Sequence, residues 1–321
     1  MATQSTFGPR DEDTPMRNIY PALIALAALS MPALTPAFAE DAGGVEPVTT
    51  FEAMPEPAHS GYETVNGLEM YYQVHGEGGP PLVLLHGGLM TIETLGPLLP
   101  ALAETRTVYA IELEGHGRTR DLDRPLSLRQ FADDVAGFIT QQGLDPVDVV
   151  GFSMGGATAL GLAAHHPETV NRLAVISASH QEDSIYGSVR EGWPHMSAEM
   201  LADTPMEAAY MAVAPEPERF KVLVDKIRAA MLSGMGWEDD AMRAIDAPTL
   251  LIVGDTDIVQ PAKVLELFQL MGGATSDGPM GPQVNPDRKF AVLPGATHYD
   301  ILYRVDMLMP LLASFLSPAQ D

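Results

Sequence analysis

The sequence predicts an α/β fold: a mostly parallel central sheet flanked by helices, with an inserted helical cap. Three observations lead there. Apolar runs such as "PLVLLHGG" (81–88), "VDVVGFS" (147–153) and "TLLIVGD" (249–255) are continuous rather than alternating, as expected of strands covered on both faces. Segments of helical period lie between the runs, which gives the strand-helix alternation of parallel crossover units. The alternation breaks once, between Ser179 and Thr249, an interval longer than one crossover helix needs and one that holds both tryptophans, Trp193 and Trp237.

Taken in order, residues 1–39 are the least domain-like. Met16 and Arg17 precede an apolar run from Ile19 to Leu29, then Pro32, Pro36 and Ala37-Phe38-Ala39, which is the layout of a secretory signal peptide cleaved after Ala39. The run is short of the ~20 apolar residues a spanning helix needs, so no stable membrane association is expected. Asp11, Glu12 and Asp13 do not suit a signal start, which favours initiation at Met16. Residues 40–60 mix Pro, Gly, Glu and Ala without period and read as a flexible linker. The folded domain is expected over 61–321.

Its first element, "YETVNGLEMYYQVHG", is a hairpin turning at Asn66-Gly67. Strands follow at 81–88 and 107–117. "SLRQFADDVAGFITQQG" opens with the capping pair Ser127 and Gln130 and spaces Leu128, Phe131, Val135, Phe138 and Ile139 as one helix face. Strands at 147–153 and 172–179 precede the cap, expected at about 181–246 and rich in methionine. Strands at 249–255 and 289–298 and a helix from Asp300 to Phe315 close the chain. Residues 272–288 are Gly- and Pro-rich, an insertion that reads as a loop on the side of His298.

Composition narrows the function. The chain of 321 residues has no cysteine, which excludes disulfides, a thiolate nucleophile and cysteine acylation. Net charge is −25; removing residues 1–39 takes away Arg10, Arg17 and three acids and leaves −24. Such a surface repels polyanions, so nucleic acid is a poor partner. With no metal-ligand spacing and no dinucleotide fingerprint, no metal and no cofactor is expected.

The chemistry concentrates in "VDVVGFSMGGATAL" (147–160), where a buried strand meets a helix at Gly151-Phe152-Ser153-Met154-Gly155. That setting suits a strained elbow that lifts a serine hydroxyl out of the sheet, with glycines where strand and helix pass closely. A serine hydroxyl is a weak nucleophile and needs a base, which in turn needs an orienting acid. Later strand ends supply both: "DTDIVQP" follows one, and His298 follows another.

Together "LLHGG" (84–88), "ELEGHGRT" (112–119), "GFSMGG" (151–156), "GDTDIVQP" (254–261) and "PGATH" (294–298), in this order, resemble the α/β-hydrolase-fold serine hydrolases, in particular the capped esterase and lipase-like group. The resemblance covers Gly61 to Leu316. It implies Ser153 as nucleophile, His298 as base and Asp257 as orienting acid, with Asp255 the competing choice. It implies an oxyanion hole from the Met154 amide and from Gly88 or Leu89, Gly88 being ahead on alignment. His86 and His116 are expected to brace their loops, and Glu112 stands where the family more often has Asp. Met90, Phe152, Trp193 and Met196 are candidates for an apolar pocket; His180 and His195 are expected at the surface. The implied activity is hydrolysis of a small apolar carboxylic ester, periplasmic or secreted. Lactonase, amidase, cofactor-free haloperoxidase or perhydrolase and carbon–carbon hydrolase activities share the same residue set, and a non-catalytic binding protein is the alternative of another class. Oligomeric state is not encoded legibly.

Overall fold

The computed structural model describes residues 54–274, 285 and 287–317. The leader-like segment, most of the linker and most of the 272–288 insertion lie outside the described residues.

Eight strands form one sheet in the order β1-β2-β4-β3-β5-β6-β7-β8. β1 (His59–Val65) and β2 (Leu68–His75) are the expected hairpin, antiparallel, with Val65 opposite Leu68. Asn66 and Gly67 both take positive φ, 51° and 82°, as a two-residue turn of this hand requires. β2 also runs antiparallel to β4 (Val108–Ile111); β3 (Leu82–Leu85), β5 (Val147–Phe152), β6 (Val170–Ile176), β7 (Thr249–Gly254) and β8 (Arg288–Leu293) are parallel to their neighbours.

The continuous apolar runs are explained by two core clusters, one on each face. Val83, Leu85, Val147 and Val149 point into one; Leu82, Leu84, Val150 and Phe152 point into the other. α2 (Leu128–Gln141), α3 (Met154–His165) and α8 (Pro261–Leu270) cover the first face, and α1 (Leu98–Ala103) and α9 (Val305–Leu316) the second. Ser127 caps α2 by accepting from the Gln130 amide, as its sequence pattern predicts.

β8 departs from expectation. Its apolar run predicts cover on both faces, yet Val292 is 41% exposed, because β8 is the edge of the sheet and has a neighbour on one side only. The closing helix also differs. A 3-10 turn, Ile301–Tyr303, comes first, and α9 starts only at Val305. Asp300 accepts from the Thr297 amide and hydroxyl and from Arg304 Nε, which closes a separate turn directly after His298.

Between β6 and β7 every described element is helical: α4 (Gly187–Arg190), α5 (Pro205–Val213), α6 (Phe220–Leu232), α7 (Asp239–Arg243) and several 3-10 turns. α7 packs on α3 and α8, so the last part of the interval belongs to the helical layer of the sheet. Trp237 joins it there: its Nε1 donates to the Ala157 carbonyl of α3 and its ring lies against Gly161. His195 is exposed as expected. His180 is buried rather than at the surface, bonded through Nε2 to Asp239 at 3.0 Å, because the chain leaving β6 passes beneath this layer and its carbonyl accepts from the Trp237 amide.

Candidate active site

The parallel strands all end on one edge, and the sequence-predicted residues meet there. At β3 the order reverses, since β4 lies to one side of it and β5 to the other, which opens a crevice at the strand ends. Ser153 follows β5 at this point. Its backbone, φ 53° and ψ −119°, lies in a region non-glycine residues rarely adopt and is worth roughly 1–3 kcal/mol of strain. The turn is held on both sides: Ser153 N donates to the Ile176 carbonyl of β6, and its own carbonyl accepts from Ala157 in α3. Side chains at the neighbouring positions would break it. A Cβ on Gly151 would collide with the Gly155 carbonyl, and one on Gly155 with the carbonyls of Leu85 and His86.

Three side chains form a hydrogen-bonded chain across this edge. His298 Nε2 lies 3.0 Å from Ser153 Oγ, and His298 Nδ1 lies 2.8 Å from Asp257 Oδ1. A carboxylate only accepts, so the network assigns the imidazole proton to Nδ1 and leaves Nε2 to accept from the serine hydroxyl. The Phe152 ring supports His298, with centroids 5.0 Å apart. Asp257 is buried, and it receives three donors: His298 and the Val259 amide at Oδ1, and Ser177 Oγ at Oδ2, 2.5 Å away. Burial alone would push its pKa up; the bonds from His298, Ser177 and Val259 outweigh it and hold the carboxyl below its ordinary value. Asp255, the competing acid, is exposed and closes the strand-end turn by accepting from the Gly295 amide.

The loop after β3 distinguishes the two amides that are candidates for the second oxyanion donor. Leu89, with φ 61°, donates its N–H to His116 Nε2 at 3.1 Å, so the alternative second donor is already engaged. Gly88 stands against the nucleophile turn: a Cβ built on it would lie 3.6 Å from Met154 Sδ. Met154 is the first residue of α3, where backbone amides are unpaired within the helix and the dipole favours negative charge.

His86 and His116 brace the two loops reciprocally. His86, on the β3 loop, accepts from the Leu113 amide of the β4 loop, and His116, on the β4 loop, accepts from Leu89 of the β3 loop. Their rings are 5.0 Å apart and fully buried. Burial pulls them down to about 4 and about 3, partly relieved by carbonyl partners and, for His116, deepened by the neighbouring ring. Both are therefore neutral, as an accepting nitrogen must be. Glu112 accepts from the Arg118 amide and from its guanidinium, 2.9 Å away; burial pushes it up to about 7 against that pull.

Of the apolar candidates, Phe152 lies behind His298 and Met90 packs across Gly87 towards Phe152. Trp193 and Met196 sit with the helical interval against α6 and make no hydrogen bond to Ser153, Asp257 or His298. Ser177 is the participant that the sequence does not single out. Its only signal there is its place at the end of the "RLAVIS" strand, beside the strand that carries the acid.

A sequence profile of the α/β hydrolase fold matches residues 80–206, which span the β3 loop, the β4 loop and the Ser153 turn. The chain has the α/β-hydrolase fold. The chain is 27% identical over 240 residues to 2-hydroxy-6-oxo-6-(2'-aminophenyl)hexa-2,4-dienoic acid hydrolase of Metapseudomonas resinovorans, covering 68% of this chain and 82% of that protein. It is 31% identical over 134 residues to pimeloyl-[acyl-carrier protein] methyl ester esterase of Citrobacter koseri, covering 42% of this chain and 48% of that one. The solved enol-lactonase of Burkholderia xenovorans LB400 superposes with a TM-score of 0.61 at 22% identity, over 80% of this chain and 100% of the other, a likeness of fold.

Proposed function

We propose that this protein is a serine hydrolase of small apolar carboxylic esters. The observation that carries the reading is the Ser153–His298–Asp257 hydrogen-bond chain at the switch point of the sheet, with Ser153 on a strained turn and Gly88 against the neighbouring Met154. Ser153 Oγ attacks the ester carbonyl carbon while His298 Nε2 takes the hydroxyl proton. The oxyanion accepts from the Met154 and Gly88 amides, each such donor being worth about 3 kcal/mol of transition-state stabilisation. Collapse breaks the bond to the alcohol oxygen, which takes the proton from Nε2 and leaves an acyl-Ser153. Water then gives a proton to Nε2 and its oxygen to the acyl carbon, and Ser153 leaves with that proton restored. Asp257 stays ionised and keeps the Nδ1 proton in place.

Hydrolysis of a carbon–carbon bond next to a ketone is the second reading, favoured by the 27% identity over 82% of the dienoic acid hydrolase. The test is labelling by a fluorophosphonate, followed by turnover of p-nitrophenyl esters of rising acyl length, lactones and a 2-hydroxy-6-oxo-dienoate. Labelling confined to Ser153, lost in Ser153→Ala, with an alcohol burst on short esters supports the ester reading. Turnover of the dienoate alone transfers support to the second, and an unlabelled, inactive protein overturns both. Export rests on residues 16–39 alone; an N-terminus at Glu40 on protein recovered outside the cytoplasm is the outcome expected.

A further inference from the structure

We propose that Ser177 is a positioning residue of this site, whose hydroxyl fixes the rotation of the Asp257 carboxylate so that Oδ1 stays directed at His298 Nδ1. The inference rests on the reading of Ser153, His298 and Asp257 as a catalytic set. Rotation about the last bond of an aspartate side chain is soft and roughly two-fold. His298 and the Val259 amide both bond Oδ1, at 2.8 and 2.9 Å. Ser177 Oγ is the side-chain donor at Oδ2, at 2.5 Å, and this third bond removes the remaining freedom of the carboxylate.

The backbone of Ser177 gives the independent argument. The residue is 1% exposed and has φ 54°, a left-handed conformation that glycine would adopt without strain. Its amide donates to the Ile252 carbonyl of β7 at 2.8 Å, so the strand ladder holds the turn where it is. A serine kept at a strained, buried position has nothing but its hydroxyl to contribute, and that hydroxyl points at the acid. Register places it well for this: Phe152 pairs with Ile176, so Ser153 and Ser177 leave adjacent strands side by side through similar turns.

The experiment compares Ser177→Ala, which keeps the strain and loses the hydroxyl, with Ser177→Gly, which loses both. Both variants are expected to lower kcat by about tenfold with KM within about twofold. The acidic limb of the pH profile is expected to move up by about half a pH unit in both, because a carboxylate with one donor fewer is more basic and stabilises the imidazolium better. The Gly variant is expected to be at least as stable as the Ala variant, so activity and stability part company. If the Ala variant does not fold, the Gly variant alone carries the test. Unchanged kcat and an unmoved acidic limb in a protein whose wild type labels at Ser153 overturn the role of Ser177 alone, as does a loss of activity that simply follows Tm. A wild type that neither labels nor turns over overturns the catalytic reading beneath it.

Discussion

At the residue scale the two acids of "GDTDIVQP" separate cleanly. Asp257 is buried and takes three hydrogen bonds, whereas Asp255 is exposed and serves the turn. Asp257→Asn is expected to lower kcat by about 10⁴-fold, since an amide no longer fixes the imidazole tautomer. Asp255→Asn is expected to stay within about threefold of wild type, as a solvated turn acceptor replaced by another acceptor. Steady-state kinetics on one ester checks both, and equal losses would contradict the assignment. His116→Ala frees the Leu89 amide and loosens the β3 loop; kcat is expected to drop about ten- to a hundredfold with KM little changed, measured alongside Tm. Spacing alone points to Asp257 in the sequence. Ser177 does not stand out there, because its significance lies in a contact across two strands that no local pattern encodes.

At the element scale the β4 loop is tied to α6 by charge. Asp121 takes Arg219 on Oδ1 and Lys226 on Oδ2, the latter at 2.6 Å, and Lys226 also reaches the Leu122 carbonyl. The cluster is half-shielded, with the Asp121 side chain itself 7% exposed, and its two cations come from α6 and the residue just before it. Burial tends to raise the Asp121 carboxyl, and its bonds to Lys226 and Arg219 hold it low instead. Asp121→Ala is expected to destabilise by about 1–3 kcal/mol in urea unfolding, leaving Lys226 without its carboxylate and Arg219 with Glu216 alone. An unchanged midpoint would mean that the apolar contacts of Phe220, Leu223, Val224 and Ile227 alone seat α6. Helix periodicity announces α2, whose pattern and cap are local. It does not announce the split before α9 or the docking of Trp237 on α3, which depend on Asp300 and on the space above Gly161.

At the scale of the molecule, pH acts through buried groups. His86 and His116 have folded values of about 4 and about 3 against an unfolded value of 6.5, so the unfolded chain binds protons first as pH falls below 6.5. Their stabilisation is complete above 6.5 and is lost progressively towards pH 4 and 3. Glu112, raised to about 7, has the opposite sign and gains stability from pH 7 down to about 4.5. Two histidines against one glutamate leave the protein less stable at pH 4.5 than at 6.5 by about 2–3 kcal/mol from these groups, a tenfold change in proton affinity being worth about 1.36 kcal/mol. The acidic surface works against this difference, since its self-repulsion is greater at the higher pH, and salt screens it. Urea midpoints at the two pH values in high salt check the prediction; greater stability at 4.5 would show Glu112 in control.

Short runs of neighbouring residues are enough to set the alternation of strand and helix, the elbow at Ser153 and the order of serine, acid and histidine: a buried strand, glycines at a tight turn, a polar residue at a strand end. The exposure of β8, the burial of His180, the engagement of Leu89 by His116 and the contact of Ser177 with Asp257 come from the folded chain alone. Those features join residues far apart in the sequence, and their direction is set by which strands lie side by side and how backbones turn at their ends. Hydrophobic pattern records that a segment is covered; it does not record by what.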